Sequence, residues 1–449
     1  MDGPAISASL FLLLALVVTI AAVVRRRALL DDPAYWAFSG YVLFVGIGPL
    51  CVDFLNPHTA VMRQSFDPGT PVLVLSWAGL AALVCGYYAG KRRERHSQGV
   101  SSLARKAHDD DLTALLFGGL AWTLIGIVGT AAYLSKVGGL GYFLETPYGT
   151  REDASIYAIF YAMFQPGLFL ILAWALTGKV RSRLVWAGLL IYLCFDLLWF
   201  GPIRGGRNEV VTLVLTFAYI LKHIPEREGT TVAKPARRWG LLIASAVFVL
   251  VWGGIRSNPV EDIVSGASGS LDLASSAQEN VATSLYATYQ GFVGIVNSVP
   301  NLVPYQWGST LLDSLTLFIP RAIWSDKPET ASSWLARVFY GQRVLANIST
   351  TWPGELYLNF GWAGLVLGMF CTGIVCARIP RHRPMDRAGT PSVWQGLMGA
   401  VWLPFPFLLI WSGSHRGMWH IFTNVALVWI VGKAALLSPV RRQLARAGA

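Results

Sequence analysis

AISASLFLLLALVVTIAAVV, residues 5–24, runs directly into Arg25-Arg26-Arg27. That order, apolar run first and positive charge second, decides how the rest of the chain is read. About twenty apolar residues in an α-helix span roughly 30 Å, the thickness of a bilayer's hydrocarbon core. A cleaved signal peptide carries its positive charge before the apolar run. This segment has the reverse polarity, which predicts a retained first helix with its N-terminus outside and the arginines inside.

Outward from there the pattern repeats. Eleven spans are predicted near 5–24, 34–52, 71–90, 113–133, 154–177, 184–200, 207–222, 239–255, 354–376, 392–411 and 417–435. The cytoplasmic connections hold Arg25 to Arg27, Lys91-Arg92-Arg93-Glu94-Arg95, Lys179 to Arg183, Lys222 to Arg238, Arg378 to Arg387 and the tail Arg441 to Arg446. The external ones are 53–70, 134–153, 201–206, 256–353 and 412–416. Of the 36 Lys and Arg, 25 fall on the cytoplasmic side and 11 on the other, although the external connections are longer in total. This is the positive-inside bias of a polytopic membrane protein, and an odd span count puts the C-terminus inside. The predicted fold is an all-α bundle of transmembrane helices: helices 1–8 in 1–255, a large, partly helical external loop in 256–353, and helices 9–11 with a cytoplasmic tail in 354–449. Within the loop, 261–280 is small and polar, while 281–300 and 309–319 have helical spacing that suits helices in or beside the membrane interface.

Composition agrees. The chain is 54% hydrophobic and 14% charged over 449 residues, with a mean hydropathy of +0.49. A net charge of +11 could suggest nucleic acid. The cations cluster at the ends of apolar spans, however, where they set topology and meet anionic lipid headgroups, so no nucleic-acid partner is expected. The five cysteines lie in or beside apolar spans, with none in the long loop, which predicts no disulfide framework. Their spacing offers no zinc pattern, and neither a metal nor a cofactor is expected.

The few external cations are the informative ones, because external loops need none for topology. Arg204, Arg207, Arg256, Arg321 and Arg416 sit at span ends or in the long loop. Guanidinium forks grip phosphate and stay charged when partly desolvated, so the set suits an anion site, most simply a diphosphate. Any one of them could equally snorkel to headgroups or pair with an acid such as Asp196. The turn Gly205-Gly-Arg-Asn-Glu209 lets backbone approach a ligand, with Asn208 placed to cap the next helix, or is simply a tight turn that needs glycine. Ser412-Gly-Ser-His-Arg-Gly417 pairs a histidine with an arginine. His415 there can take a proton from an attacking hydroxyl, or lie in a plain surface turn. His420, five residues on, does not share its helical face, which argues against a two-histidine metal site. Glu355, Tyr357 and Asn359 fall at the mouth of the ninth span, and Asp326 with Lys327 on a proline-bounded loop beside Trp324. These suit a sugar-phosphate cleft or an interfacial aromatic anchor.

Three segments carry a resemblance: IPRAIWSDKP (319–328), WPGELYLNFGWAG (352–364) and GGRNE (205–209). Together they resemble bacterial oligosaccharide repeat-unit polymerases, the O-antigen polymerase or Wzy-type family. That likeness implies an inner-membrane glycosyltransferase of lipopolysaccharide or related polysaccharide biosynthesis, with a GT-C-like architecture. Its substrate would be an oligosaccharide on undecaprenyl diphosphate, its site extracytoplasmic, and a chain-length regulator a possible partner. The growing glycan would pass to the non-reducing end of a new lipid-linked unit. Arg204, Arg207, Arg321 and Arg416, with Arg256, would hold diphosphate. His415 would be the general base with Glu355 as the alternative, and Asp326, Lys327, Tyr357 and Asn359 would orient sugar and acceptor. An O-antigen ligase would need the same cradle. A lipid-oligosaccharide flippase would more often show repeated halves and several midplane charges, where this chain offers Asp196.

Overall fold

In the computed structural model the described residues are 3–24, 31–50, 68–96, 109–139, 141, 159–198, 207–226, 285–317, 319, 323–340, 349–379 and 393–436. Every regular element among them is helical. In chain order these are α1 (Gly3–Val24), α2 (Pro33–Tyr41), α3 (Thr70–His96), α4 (Asp109–Val137), α5 (Phe164–Thr177), α6 (Arg183–Leu198) and α7 (Arg207–Glu226). There follow α8 (Ala287–Ser298), α9 (Ser309–Leu315), α10 (Ala331–Tyr340), α11 (Trp352–Arg378), α12 (Val393–Trp402), α13 (Phe405–His420) and α14 (Leu427–Leu436). Five helical stretches among the described residues are long and apolar enough to cross a membrane: Thr70–Lys91, Asp111–Val137, Ile159–Thr177, Trp352–Arg378 and Phe405–Ala435. The eighth span expected at 239–255 lies outside the described residues.

Two large apolar clusters among the described residues hold most of the bundle. One gathers Phe11, Tyr41, Leu75, Phe292, Leu356 and Met369 from α1–α3, α8 and α11. The other gathers Leu115, Phe169, Leu213, Leu397 and Val428 from α4, α5, α7, α12 and α14. Helix α13 links them, with Trp411 stacked on Phe44 at 4.9 Å between centroids. The closest crossing is α3 on α11, where glycine removes the side chain from the contact. A Cβ on Gly86 would lie 1.9 Å from the Phe370 carbonyl oxygen, and one on Gly373 would lie 2.1 Å from that of Leu83. Helices in lipid associate through such close backbone approach, because apolar side chains gain little by leaving equally apolar tails.

Helix ends that the charge bias puts on one side are the ends that meet. Asp31, ahead of α2, lies 2.9 Å from His223 Nε2 and pairs with Lys222, both near the end of α7. Tyr87, late in α3, donates to Asp32 at 2.9 Å, and Trp394, early in α12, donates to Asp111, early in α4, at 2.9 Å. All four pairs join predicted cytoplasmic ends.

The chain reverses at the turn expected at 412–416: Gly413 breaks the helix, and beyond it the chain runs back along α12, with His420 Nε2 2.6 Å from the Val401 carbonyl oxygen and a Cβ on Gly432 placed 3.0 Å from the Trp394 ring. The returning limb passes through a π-helical stretch at Ile421–Ala426 into α14. Pro404, which lacks the N–H that a helix interior needs, interrupts the outgoing limb between α12 and α13. The structure departs from the sequence reading at α8. Helix α8, expected at the interface, is instead core, with Tyr289, Phe292, Val293 and Ile295 each no more than 1% exposed. It is apolar on nearly all sides, which makes a buried helix rather than an amphipathic one.

Candidate functional site

Two broken helices frame the site. In α11 the break is Gly361, with φ 65° and ψ −151°; in α13 it is Gly413, with φ 76° and ψ −170°. These left-handed angles are open to glycine and strained for side chains. The break at Gly413 turns the Ser414 N–H out of the helix ladder and onto Glu355, early in α11. Ser414 donates to that carboxylate twice, from its N–H to Oε2 at 2.6 Å and from its hydroxyl to Oε1 at 2.6 Å. Thr310 of α9 donates to Oε1 at 3.0 Å, and Asn359 donates to Thr310 at 2.8 Å while accepting from the Gly308 N–H at 2.7 Å. Ser314 and Ser414 hydroxyls lie 2.6 Å apart. Glu355 is 1% exposed, so a carboxylate at this depth is held by donors drawn from two other elements. It ties α9, α11 and α13 together.

Immediately above this floor stands a second, more open cluster. Asp313, on α9 and 2% exposed, divides its carboxylate between two partners. Oδ2 is 3.1 Å from His415 Nδ1, and Oδ1 is 3.4 Å from Lys327 Nζ. Lys327 Nζ also reaches the Leu317 carbonyl at 3.5 Å. In the neutral tautomer that directs its Nδ1 proton at this carboxylate, Nε2 carries the lone pair. The His415 side chain is 33% exposed, so the imidazole reaches solvent while its orienting acid does not. Chemically this is a positioned base with a cation one carboxylate away.

Arg416 follows on the next face of α13. Its guanidinium lies 2.9 Å from Glu209 Oε1 of α7 and the side chain is 31% exposed. Asn208, expected to cap α7, instead sits within its first turn and donates to Ser412 at 3.3 Å, tying α7 to α13. A cavity of about 20 Å³, room for about one water, lies beside the pair. Gln165, Asn208, Glu209 and Arg416 line it. His420 takes no part in the open cluster; its Nε2 lies 2.6 Å from the Val401 carbonyl oxygen.

The structure thus brings His415, Glu355, Lys327 and Asn359 into one place, with Arg416 adjoining. Tyr357 lies on the far side of α11, donating to the Val299 carbonyl at 3.3 Å, and Asp326 is exposed beside Lys327. Arg204, Arg256 and Arg321 lie outside the described residues, as does the Arg207 side chain. Asp196 is fully buried, with neither carboxylate oxygen bonded to a described residue. Sequence reasoning missed Asp313, Thr310, Ser314 and Ser414. Asp313 is the one acid in a short helix whose other polar residues face the same way, a pattern visible once 309–315 is taken as a helix.

Residues 282–402 match the model of a domain of unknown function, DUF8712. The matched stretch runs from just before α8 to the end of α12, so Asp313, Lys327, Glu355 and Asn359 fall inside it while His415 and Arg416 fall beyond it. No curated protein and no solved structure matches the chain.

Proposed function

We propose that the protein is a membrane glycosyltransferase that polymerises oligosaccharide repeat units carried on undecaprenyl diphosphate, working at the extracytoplasmic face. The observation that carries this reading is the chain His415–Asp313–Lys327, with Arg416 next in sequence to the histidine. A hydroxyl of the acceptor sugar gives its proton to His415 Nε2 as its oxygen bonds to the donor's anomeric carbon. The bond from that carbon to the diphosphate oxygen breaks, and its electron pair leaves with the lipid diphosphate. Such a leaving group is already a stable anion and calls for fixed positive charge more than for a proton. In this reading Arg416 provides it, released from Glu209 as phosphate oxygens replace the carboxylate. Lys327, Arg204, Arg207, Arg256 and Arg321 add to the cradle, and Asp326 meets sugar at the rim. Glu355, sealed beneath the cluster with both oxygens accepting, acts as the anchor of Ser414 and hence of His415, not as the base. Base catalysis of this kind is worth about 10²–10⁴ in rate.

Reconstitution in liposomes with a synthetic polyprenyl-diphosphate repeat unit tests the proposal. A ladder of lengthened, lipid-linked products is the expected result. Transfer only onto a lipid A core acceptor would make the protein a ligase. Movement of lipid-linked sugar across the bilayer without a new glycosidic bond would make it a flippase.

A further inference from the structure

The segment that supplies Asp313 has two faces. On α9, Thr310, Asp313 and Ser314 are buried toward the site, whereas Leu312 and Leu315 are 42% and 62% exposed on the opposite side. Residues at i and i+3 share a helix face, so the two leucines form one apolar edge. The flanking chain continues it: Leu302 is 80% exposed, Trp307 74% and Ile323 79%. Nothing in a soluble loop calls for so many large apolar side chains turned outward within about twenty residues.

What covers them is indicated by their neighbour. The Trp307 N–H donates to the Asn359 carbonyl at 3.2 Å, and a Cβ on Gly308 would lie 3.4 Å from the Phe360 ring. The segment is thus bound to α11 where that helix changes character. Residues 353–359 of α11 are buried, and from Phe360 onward Phe360, Trp362 and Leu367 are exposed at 41%, 45% and 64%. That stripe belongs to a helix long and apolar enough to cross a membrane. Trp307 and its neighbours prolong it past the break at Gly361. Polar Asn301, Ser325 and Asp326 are exposed at the margins of the apolar segment, as at a boundary between hydrocarbon and water.

We infer that the outward side chains Leu302, Trp307, Leu312, Leu315 and Ile323 form a lipid surface: it dips into the bilayer at the end of the bundle where α11 doubles back at Gly361, and holds the Asp313–His415 cluster at headgroup depth. An amphiphile could then present its anionic head to the cluster without its tail leaving the membrane. The inference stands whether or not the protein transfers sugar, because it concerns where the segment lies.

The test is depth measurement on the full-length chain in phosphatidylethanolamine/phosphatidylglycerol liposomes. The five cysteines are replaced, and single spin labels are placed through Leu315→Cys, Ile323→Cys and, as the rim control, Asp326→Cys. Labels at 315 and 323 are expected to collide with molecular oxygen more than with a water-soluble nickel complex, and the label at 326 the reverse. Equal access to the nickel complex at all three positions would overturn the inference, placing the segment in water. Shielding of 315 and 323 from both agents would also overturn it, since a protein partner would then be the cover. A second measurement leaves the cysteines in place: brominated lipids should quench the wild-type chain more than the Trp307→Phe variant, and equal quenching would count against the proposal.

Discussion

His415 is oriented by an acid it cannot share with solvent, and this makes Asp313 the informative residue for mutation. Replacing His415 by Ala should lower polymer formation about 10²–10⁴-fold with little change in melting temperature, because the side chain is part-exposed. Asp313→Asn keeps the volume but gives the ring nitrogen a neutral partner and leaves Lys327 without its carboxylate. A fall of at least about tenfold, with a displaced pH–rate profile, is expected. A purely structural Asp313 would lower yield and melting temperature and leave the profile of the remaining enzyme where it was. The histidine was legible in the sequence as the neighbour of an external arginine. Asp313 was not, since about a hundred residues separate it from His415 and only packing of α9 against α13 joins them.

At the level of elements, the site depends on α13 being broken at one residue. An alanine at Gly413 would hold φ 76° only under strain, and its Cβ would fall 2.5 Å from Glu355 Oε2. Gly413→Ala should therefore cost roughly 1–3 kcal/mol of stability and abolish turnover, read as melting temperature and product ladder in detergent. Glu355→Gln tests the anchor. The amide places a donor where the Ser414 N–H, the Ser414 hydroxyl and Thr310 already donate, so one of them loses its acceptor at about 1–3 kcal/mol. Were Glu355 the base instead, Glu355→Gln would remove activity while leaving the melting temperature unchanged. The turn at 412–416 was legible in the sequence, but not that Ser412, Ser414, His415 and Arg416 find their partners on α7, α9 and α11, which no local pattern contains.

For the molecule as a whole, the clasp at the predicted cytoplasmic end gives a prediction in pH. Burial raises the pKa of Asp31, but hydrogen bonds and charge from His223 and Lys222 outweigh it and hold the carboxyl below its ordinary value. A group with a depressed folded pKa contributes stability that is fully present above its unfolded value, near 3.9, and is lost as pH falls through the folded one. Asp31→Asn should accordingly melt below the wild type at pH 7, by the equivalent of about 1–3 kcal/mol. The gap should close as pH falls below about 4. A gap that persists unchanged at low pH would mean the contact is held by packing alone.

Hydropathy and charge spacing foretold helices, which every regular element among the described residues is, and put on one side the helix ends that meet through Asp31, Asp32 and Asp111. Hydropathy and the spacing of Lys and Arg are properties of consecutive residues, and lipid admits few other ways to satisfy a backbone. The sequence also placed His415, Arg416 and Glu355 among the residues worth testing. Packing added that α8 is core and that Glu355 is an anchor sealed under the cluster. Those outcomes rest on a carboxylate finding its donors on helices far apart in the chain, and that energy exists only once the helices have packed.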